Sequence, residues 1–306
     1  MLKYFIKISL RNIIRYKFYS ISIVLGYSLA FTFCFLIILF LTHERNADKF
    51  HLKYDRISRL LMSNIFGDMS ISTFPETIRY IKDNFPEVEE GTFIKWIGKI
   101  NLEYDANSFN EDKGLLADSS FLRVFDFKLI AGNRNTCLTS PNSIAITKTF
   151  SKKYFGDELP LGHTIYWDTL NLQVTALVED IPSNSHMVFD FLISRSTIPT
   201  TEEVSLSTAS YLLFAERNAN ESFESKLNQN RNKLVNVNTD FKFKIQPLSE
   251  VYFHQDFIYG YFGNIFKSRS KDMLVNFGII GFIIVLVTNF NFISFSQANS
   301  IYRTKE

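Results

Sequence analysis

The sequence predicts an α+β membrane protein: two membrane-crossing helices flanking a mixed α/β domain. Three observations predict it. Phe18–Thr42 (FYSISIVLGYSLAFTFCFLIILFLT) carries no formal charge in 25 residues. Met273–Tyr302 is uncharged as well, and is densest in apolar residues at Phe277–Val287 (FGIIGFIIVLV). Between the two lies a charged stretch in which alternating and amphipathic segments interleave. A bilayer core takes about 20 apolar residues as a helix, which satisfies its own backbone hydrogen bonds in lipid. Both runs are long enough.

The chain begins with MLKYFIKISLRNIIRYK (1–17). Lys3, Lys7, Arg11 and Arg15 recur every four residues, so a helix here carries one basic stripe. Leu2, Phe5, Ile6, Ile13 and Ile14 fill much of the remainder, which suits a surface of anionic lipid. Five basic residues precede the first span, and the first acid is Glu44, so the N-terminus is expected in the cytoplasm. The apolar run exceeds the 7–15 residues of a signal peptide and no small-x-small cleavage site follows Leu41, which argues for a retained anchor.

The second span is expected near Leu274–Phe295. Asn289 and Asn291 fall in its later half, and buried amides of this kind hydrogen-bond across to neighbouring helices. Gly278 and Gly281 allow close approach. These four residues are the candidates for helix–helix packing. Two spans return the C-terminus to the cytoplasm and leave the intervening domain outside, in the periplasm of a bacterium.

From Glu44 to Asp272 there are 26 basic and 30 acidic residues. That balance gives no basic face for a nucleic acid. The expected elements of this domain follow from periodicity and caps. Helices are expected at Phe74–Asn84, with Pro75 at its start, at Asp118–Phe125 after an acidic cap, at Thr147–Phe155 from a Thr cap to Gly156, and at Glu221–Leu234. Strands are expected at Thr92–Tyr104, Ser143–Thr147, Leu172–Leu177, Tyr211–Phe214 and Phe241–Pro247. There is no fixed-period repeat.

The chemistry of catalysis is sparse. His43, His51, His163, His186 and His254 are isolated in sequence, with no HExxH and no CxxC. No GxxxxGK[ST] or GxSxG occurs. The two cysteines, Cys34 in the first span and Cys137 in the domain, imply no disulfide framework. Glu179–Asp180 is an acidic pair whose side chains point apart at a strand end, in a solvated turn. No catalytic, metal or cofactor site is expected.

LRNIIRYKFYS with the apolar run resembles the start of bacterial permease subunits of the MacB/FtsX type. After the first span those permeases read like DELSYDRFHxxxxRIYR, and Glu44, Asp48, Phe50, His51, Arg56, Ile57 and Arg59 match within HERNADKFHLKYDRISR. His43, Arg45 and Ala47 depart from it. SIAITKTFSKKYFGDELPLGHTI (143–165) and VTALVEDIPSNSHMVFDFLIS (174–194) resemble the family's periplasmic core domain, in its Bacteroidetes-type version. VLVTNFNFISFSQAN is similar to its second helix.

The resemblance implies a porter-like subdomain, 44–106 with 205–270, interrupted by a mostly β subdomain, 107–204. It implies dimerisation with a second permease subunit, a separate P-loop ABC ATPase, contact with membrane lipid, and a periplasmic adaptor. The implied work is efflux, antimicrobial peptide transport or lipoprotein handling, in the bacterial inner membrane. Arg303, Lys305 and Glu306 look like the first residues of the cytoplasmic segment that contacts the ATPase. Family members continue into two further spans, so the sequence is expected to represent a truncated, N-terminal half. The alternative reading is a membrane sensor or scaffold with a periplasmic ligand-binding domain.

Overall fold

The computed structural model describes residues 4, 11, 14, 17–63, 67–105, 107–198, 208–217, 220–234, 241–253 and 265–303. Most of the basic helix expected at 1–17 lies outside the described residues, as do His254, Lys305 and Glu306. The chain forms two compact units, Met1–Arg45 with Ser270–Glu306, and Asn46–Arg269.

The first unit holds two long helices, α1 (Lys17–Arg45) and α8 (Lys271–Arg303). Their membrane-length segments are Ser20–Arg45 and Lys271–Ser294, with 6% and 0% of the most apolar windows buried. A soluble core helix would hide that surface. These helices show it: Phe18, Val24, Phe31, Phe282 and Phe290 are all more than 60% exposed. Such all-round apolar exposure suits lipid rather than water.

The second unit is built on a sheet. Its strands are β1 (Ile57–Ser63), β2 (Met69–Ser70), β3 (Ser72–Thr73), β4 (Val88–Trp96), β5 (Ile100–Tyr104), β6 (Asn107–Glu111) and β7 (Gly114–Ala117). They continue with β8 (Leu129–Gly132), β9 (Ser143–Thr147), β10 (Thr164–Trp167), β11 (Leu170–Val178), β12 (Phe191–Ser194), β13 (Thr208–Phe214) and β14 (Phe243–Pro247). Among the described residues the order is β14-β1-β13-β4-β7-β12-β9-β11-β10-β5-β6, with β2, β3 and β8 paired on its sides. Only β7–β12 and β9–β11 run parallel; the other pairs are antiparallel.

Alternation along these strands divides the apolar residues into three cores. Ile57 and Leu61 of β1 face one side while Leu60 and Met62 face the other. The first side is a continuous core that runs from β1 and β13 through Leu115, Ala145 and Leu192, and takes in Phe121 and Val251 of the one-turn helices α3 (Phe121–Val124) and α7 (Leu248–Val251). The opposite face is covered at one end by α2 (Pro75–Asn84), α5 (Asn220–Gln229) and α6 (Arg231–Leu234) through Ile78, Ile81, Phe223, Leu227 and Leu234. At the other end α4 (Lys148–Phe155) contributes Phe150, Tyr154 and Phe155. Each fully buried side chain of this size contributes about 1.5–3 kcal/mol.

Several boundaries differ from those the sequence predicts. The strand expected over Thr92–Tyr104 is two strands, because Gly98 turns the chain at φ +76°. The helix expected at Asp118–Phe125 is a single turn, Phe121–Val124. Asp118 does not cap it; its carboxylate accepts from Thr92 Oγ1, Phe93 N and Ser120 Oγ instead. Glu221–Leu234 is broken at Asn230, whose N–H is shared by the Lys226 and Leu227 carbonyls. The expected subdomain boundary at 106 falls in the β5–β6 hairpin, and β5 also pairs with β10.

The helix expected at Thr147–Phe155 is α4, with Thr147 Oγ1 accepting from Phe150 N. Its first turn is bound a second time. Asp180 accepts from Thr149 N and Thr149 Oγ1, both at 2.8 Å, while Glu179 turns to Lys128 and Lys148. The acidic pair therefore does point two ways, and Asp180, exposed as expected, also caps the first turn of α4.

Candidate functional site

Two places in the molecule combine polar chemistry with an organising position. The first is the packing of α1 against α8. The helices run antiparallel, and Tyr27, Ala30, Cys34 and Ile37 lie on one stripe of α1. Tyr27 Oη donates to Asn289 Oδ1 at 3.2 Å and its ring meets Phe292 edge-on. Cys34 Sγ lies 3.7 Å from the Gly281 carbonyl, and a Cβ on Gly281 would sit 3.6 Å from Ile37. Phe40 packs on Phe277. Gly281 and Asn289 thus face the first helix. Gly278 does not, since a Cβ there would have nothing within 4 Å, and Asn291 is exposed. Arg303 is the last residue of α8.

The second place is a buried polar row in the domain. Strand register creates it. Arg59 on β1 lies directly opposite Tyr211 on β13 and directly opposite Gln246 on β14, so the three side chains share one face. Arg59 is 1% exposed, and its Nε and Nη2 donate to Gln246 Oε1 at 3.1 and 2.7 Å. Burial lowers the pKa of this guanidinium, with the neighbouring Tyr211 opposing, while burial also pushes the Tyr211 phenol upward. Tyr211 Oη in turn lies 3.0 Å from His186 Nε2.

His186 carries the row on to Asp48, which is fully buried at φ +57°. Its backbone N–H donates to both Asp48 oxygens, at 3.0 and 3.2 Å, and Ser185 Oγ donates at 3.1 Å. The Nδ1 atom lies 2.9 Å from Asp48 Oδ1 without hydrogen-bond alignment, so the backbone bonds are the better directed. Burial alone would raise the Asp48 carboxyl; the His186 ring and N–H outweigh it and hold the group below the ordinary value.

His51 closes the cluster. Its Nδ1 accepts from Asp126 N at 3.0 Å, which assigns the proton to Nε2. Nε2 has no hydrogen-bond partner among the described residues; the rings of Phe50, Phe125 and Phe127 surround it. Burial drives the His51 pKa to about 3, against the pull of Asp48 and with the push of His186 and Arg134. The ring is neutral in the fold and titrates near 6.5 when unfolded. Between those values the unfolded chain binds a proton that the folded one refuses, so stability falls as pH drops through that window. From pH 7 to pH 5 this ring alone is expected to remove about 2 kcal/mol. Urea unfolding followed by tryptophan fluorescence at the two pH values checks it, because both tryptophans, Trp96 and Trp167, lie in the domain. His51→Phe should flatten the difference, and an unchanged slope in that variant would refute the assignment.

A cleft of about 650 Å³ is walled by α2, β4 and the end of β12, and includes none of these residues among its described lining. One ion-pair set lies in its wall. Lys82 and Arg123 both meet Glu90, and hold its carboxyl below the usual value although burial opposes them. Burial pushes Asp118 upward despite its donors. No His or Cys is among the described lining residues; Ser120 Oγ donates both to Asp118 and to the Gly91 carbonyl. Among the described residues no group of three or more His, Cys, Asp or Glu side chains could hold a metal ion.

The polar row joins the stretches Asp48–Arg59 and Asn184–His186 with Tyr211 and Gln246, within one continuous domain that follows an apolar helix. A family model described as the MacB-like periplasmic core domain matches residues 20–230, which contain both stretches and that helix. The chain belongs to this family. Its MacB-like domain also resembles solved structures. A permease-protein domain from Porphyromonas gingivalis aligns with a TM-score of 0.54 at 21% identity, covering 64% of this chain and 92% of that one. The periplasmic region of MacB from Actinobacillus actinomycetemcomitans gives 0.46 at 18%, covering 61% and 87%. The extracellular domain of the noncanonic ABC-type transporter YknZ from Gram-positive bacteria gives 0.49 at 13%, covering 62% and 99%. The shared fold rests on the first of these. No match was found among curated proteins. The protein is therefore a MacB-like permease component, a membrane protein whose core domain is periplasmic.

The resemblance singled out Asp48, His51, Arg56 and Arg59 in one motif and SNSHMVFDF in another. The structure brings the two together at Asp48 and His186. Tyr211 and Gln246 had no sequence signal beyond being polar residues within strand segments.

Proposed function

We propose that the chain is a permease subunit of a MacB/FtsX-type ABC transporter. ATP-driven movement of a separate cytoplasmic ATPase would pass through α1 and α8 to the periplasmic domain, to drive efflux or the handling of lipoproteins or peptides. The observation that carries this reading is the family match, which includes the first membrane-length helix along with most of the domain. Both termini are assigned to the cytoplasm of an inner-membrane protein. Arg303, Lys305 and Glu306 are assigned to ATPase contact. Gly281 and Asn289 are assigned to packing within the helix pair. Gly278 and Asn291, which leave that interface, are assigned to a second permease subunit. We also place the division of the domain at 97–99, where β4 ends and Gly98 turns the chain. A periplasmic adaptor completes the proposed assembly.

Purification of the tagged full chain from its native membranes tests the reading. The expected result is a co-purifying P-loop ATPase with vanadate-sensitive ATP hydrolysis. A periplasm-only reporter placed in the β5–β6 turn should be active. Absence of any P-loop ATPase, or a reporter active only in the cytoplasm, would overturn it.

A further inference from the structure

We infer that Asn184–Val188 is the joint that fastens both membrane-connecting segments to the domain, with His186 the positioning residue that couples them. The incoming segment follows α1 after Arg45; the outgoing one precedes Ser270 and α8. Both dock on this one stretch, and the outgoing one is held as well at Arg269, whose N–H donates to the Tyr252 carbonyl at 3.0 Å. On the incoming side Asp48 N donates to Asn184 O, and Asn184 Nδ2 donates to Asn46 O, each at 3.1 Å. Ser185 Oγ and His186 N grip the Asp48 carboxylate. On the outgoing side Val188 N donates to Ile265 O and Lys267 N donates to His186 O, both at 2.7 Å. Met187 and Phe266 form an antiparallel bridge.

His186 belongs to both sets. Its N–H holds Asp48, its carbonyl holds Lys267, its Nε2 reaches Tyr211 on β13, and its ring stacks on Phe266 at 6.2 Å and 8°. The side chain is fully buried. Little slack precedes the joint. Only Asn46 and Ala47 separate Arg45 from Asp48, and only Ser268 and Arg269 separate Lys267 from Ser270. An extended residue spans about 3.3–3.6 Å, so each connector absorbs less than roughly 10 Å of travel before the joint is loaded. Movement of either helix is then felt by the other's anchor. The inference rests on the transmission role proposed above.

Hydrogen exchange on the full chain in lipid nanodiscs tests it. Asp48→Asn weakens the incoming grip and Phe266→Leu the outgoing one. Asp48→Asn is expected to speed exchange roughly fivefold or more at the Val188 and Lys267 amides, across the joint. Phe266→Leu should do the same at the amide of position 48. Leu192 and Leu212, in the sheet, should keep their protection in both. In a His186→Phe background the ring stack and the backbone bonds to Asp48 and Lys267 remain while the Nε2 link to Tyr211 is gone, so the cross effect should persist, carried by the backbone of position 186. If Asp48→Asn fails to fold, Ser185→Ala serves in its place. Substitutions that disturb only their own side would overturn the inference. The readout needs no ATPase, so that outcome leaves the permease assignment standing, and failure of the ATPase purification leaves the exchange result standing.

Discussion

Asp48→Ala is expected to destabilise the domain by about 3–5 kcal/mol, the cost of removing a buried carboxylate on which several buried donors depend. The carboxylate is fully buried and accepts from Ser185 Oγ and from His186 N, with Nδ1 of the same ring beside it. Alanine leaves all of these groups without an acceptor in a dry site. It also keeps the left-handed backbone at φ +57°, which Asp tolerates better than Ala does. Asp48→Asn retains one acceptor oxygen and should lose only about 1–2 kcal/mol. Urea unfolding read through Trp96 and Trp167 separates the two. Equal losses for Ala and Asn would mean that the charge matters and the hydrogen bonds do not.

The second large effect is expected at Gly132. Its φ is +98°, and a Cβ there would lie 2.6 Å from the Thr175 carbonyl and 2.8 Å from Ala176 Cα. Both obstacles are backbone atoms of β11, which pairs with β8 at Ala176 and Gly132. A side-chain obstacle can rotate away; these cannot without parting the strands. Gly132→Ala therefore adds dihedral strain of about 1–3 kcal/mol to a clash of similar size, for a total of about 3 kcal/mol or more. Gly156→Ala is the control. Its φ is also positive, at +62°, but nothing lies within 4 Å of the added Cβ, so only the dihedral cost applies. A ratio near one between the two losses would show that strand contact at Gly132 is unimportant.

The sequence announced the large features for physical reasons that are local. Uncharged runs announce helices in lipid, and the Thr147 cap and Gly156 announce the ends of α4, because those signals depend on near neighbours alone. β7 and β12 were invisible for the opposite reason. GLLA and FLIS are four-residue apolar runs without alternation, buried on both faces, and only their pairing with each other and with β4 and β9 makes them strands. The polar row is similar. Arg59 reads as one more basic residue until register sets it between Tyr211 and Gln246. Asp118 looked like a helix cap because acids often are. Its donors are Ser120 Oγ and, far away in sequence, Thr92 and Phe93 on β4.

The pairing of Lys95 with Thr208 has a consequence for how such a domain is assembled as a chain. β4 ends one residue beyond that pair, and β13 begins at it. The described residues between 97 and 198 lie between two neighbouring points of an antiparallel pair. Without that excursion, β4 and β13 would be the two arms of an ordinary hairpin. In topological terms the whole second set of strands is an overgrown turn. The two sets of strands nonetheless share one core, through Leu115, Ala145 and Leu192, and the Asn184–Val188 joint grips Asp48 from within the excursion.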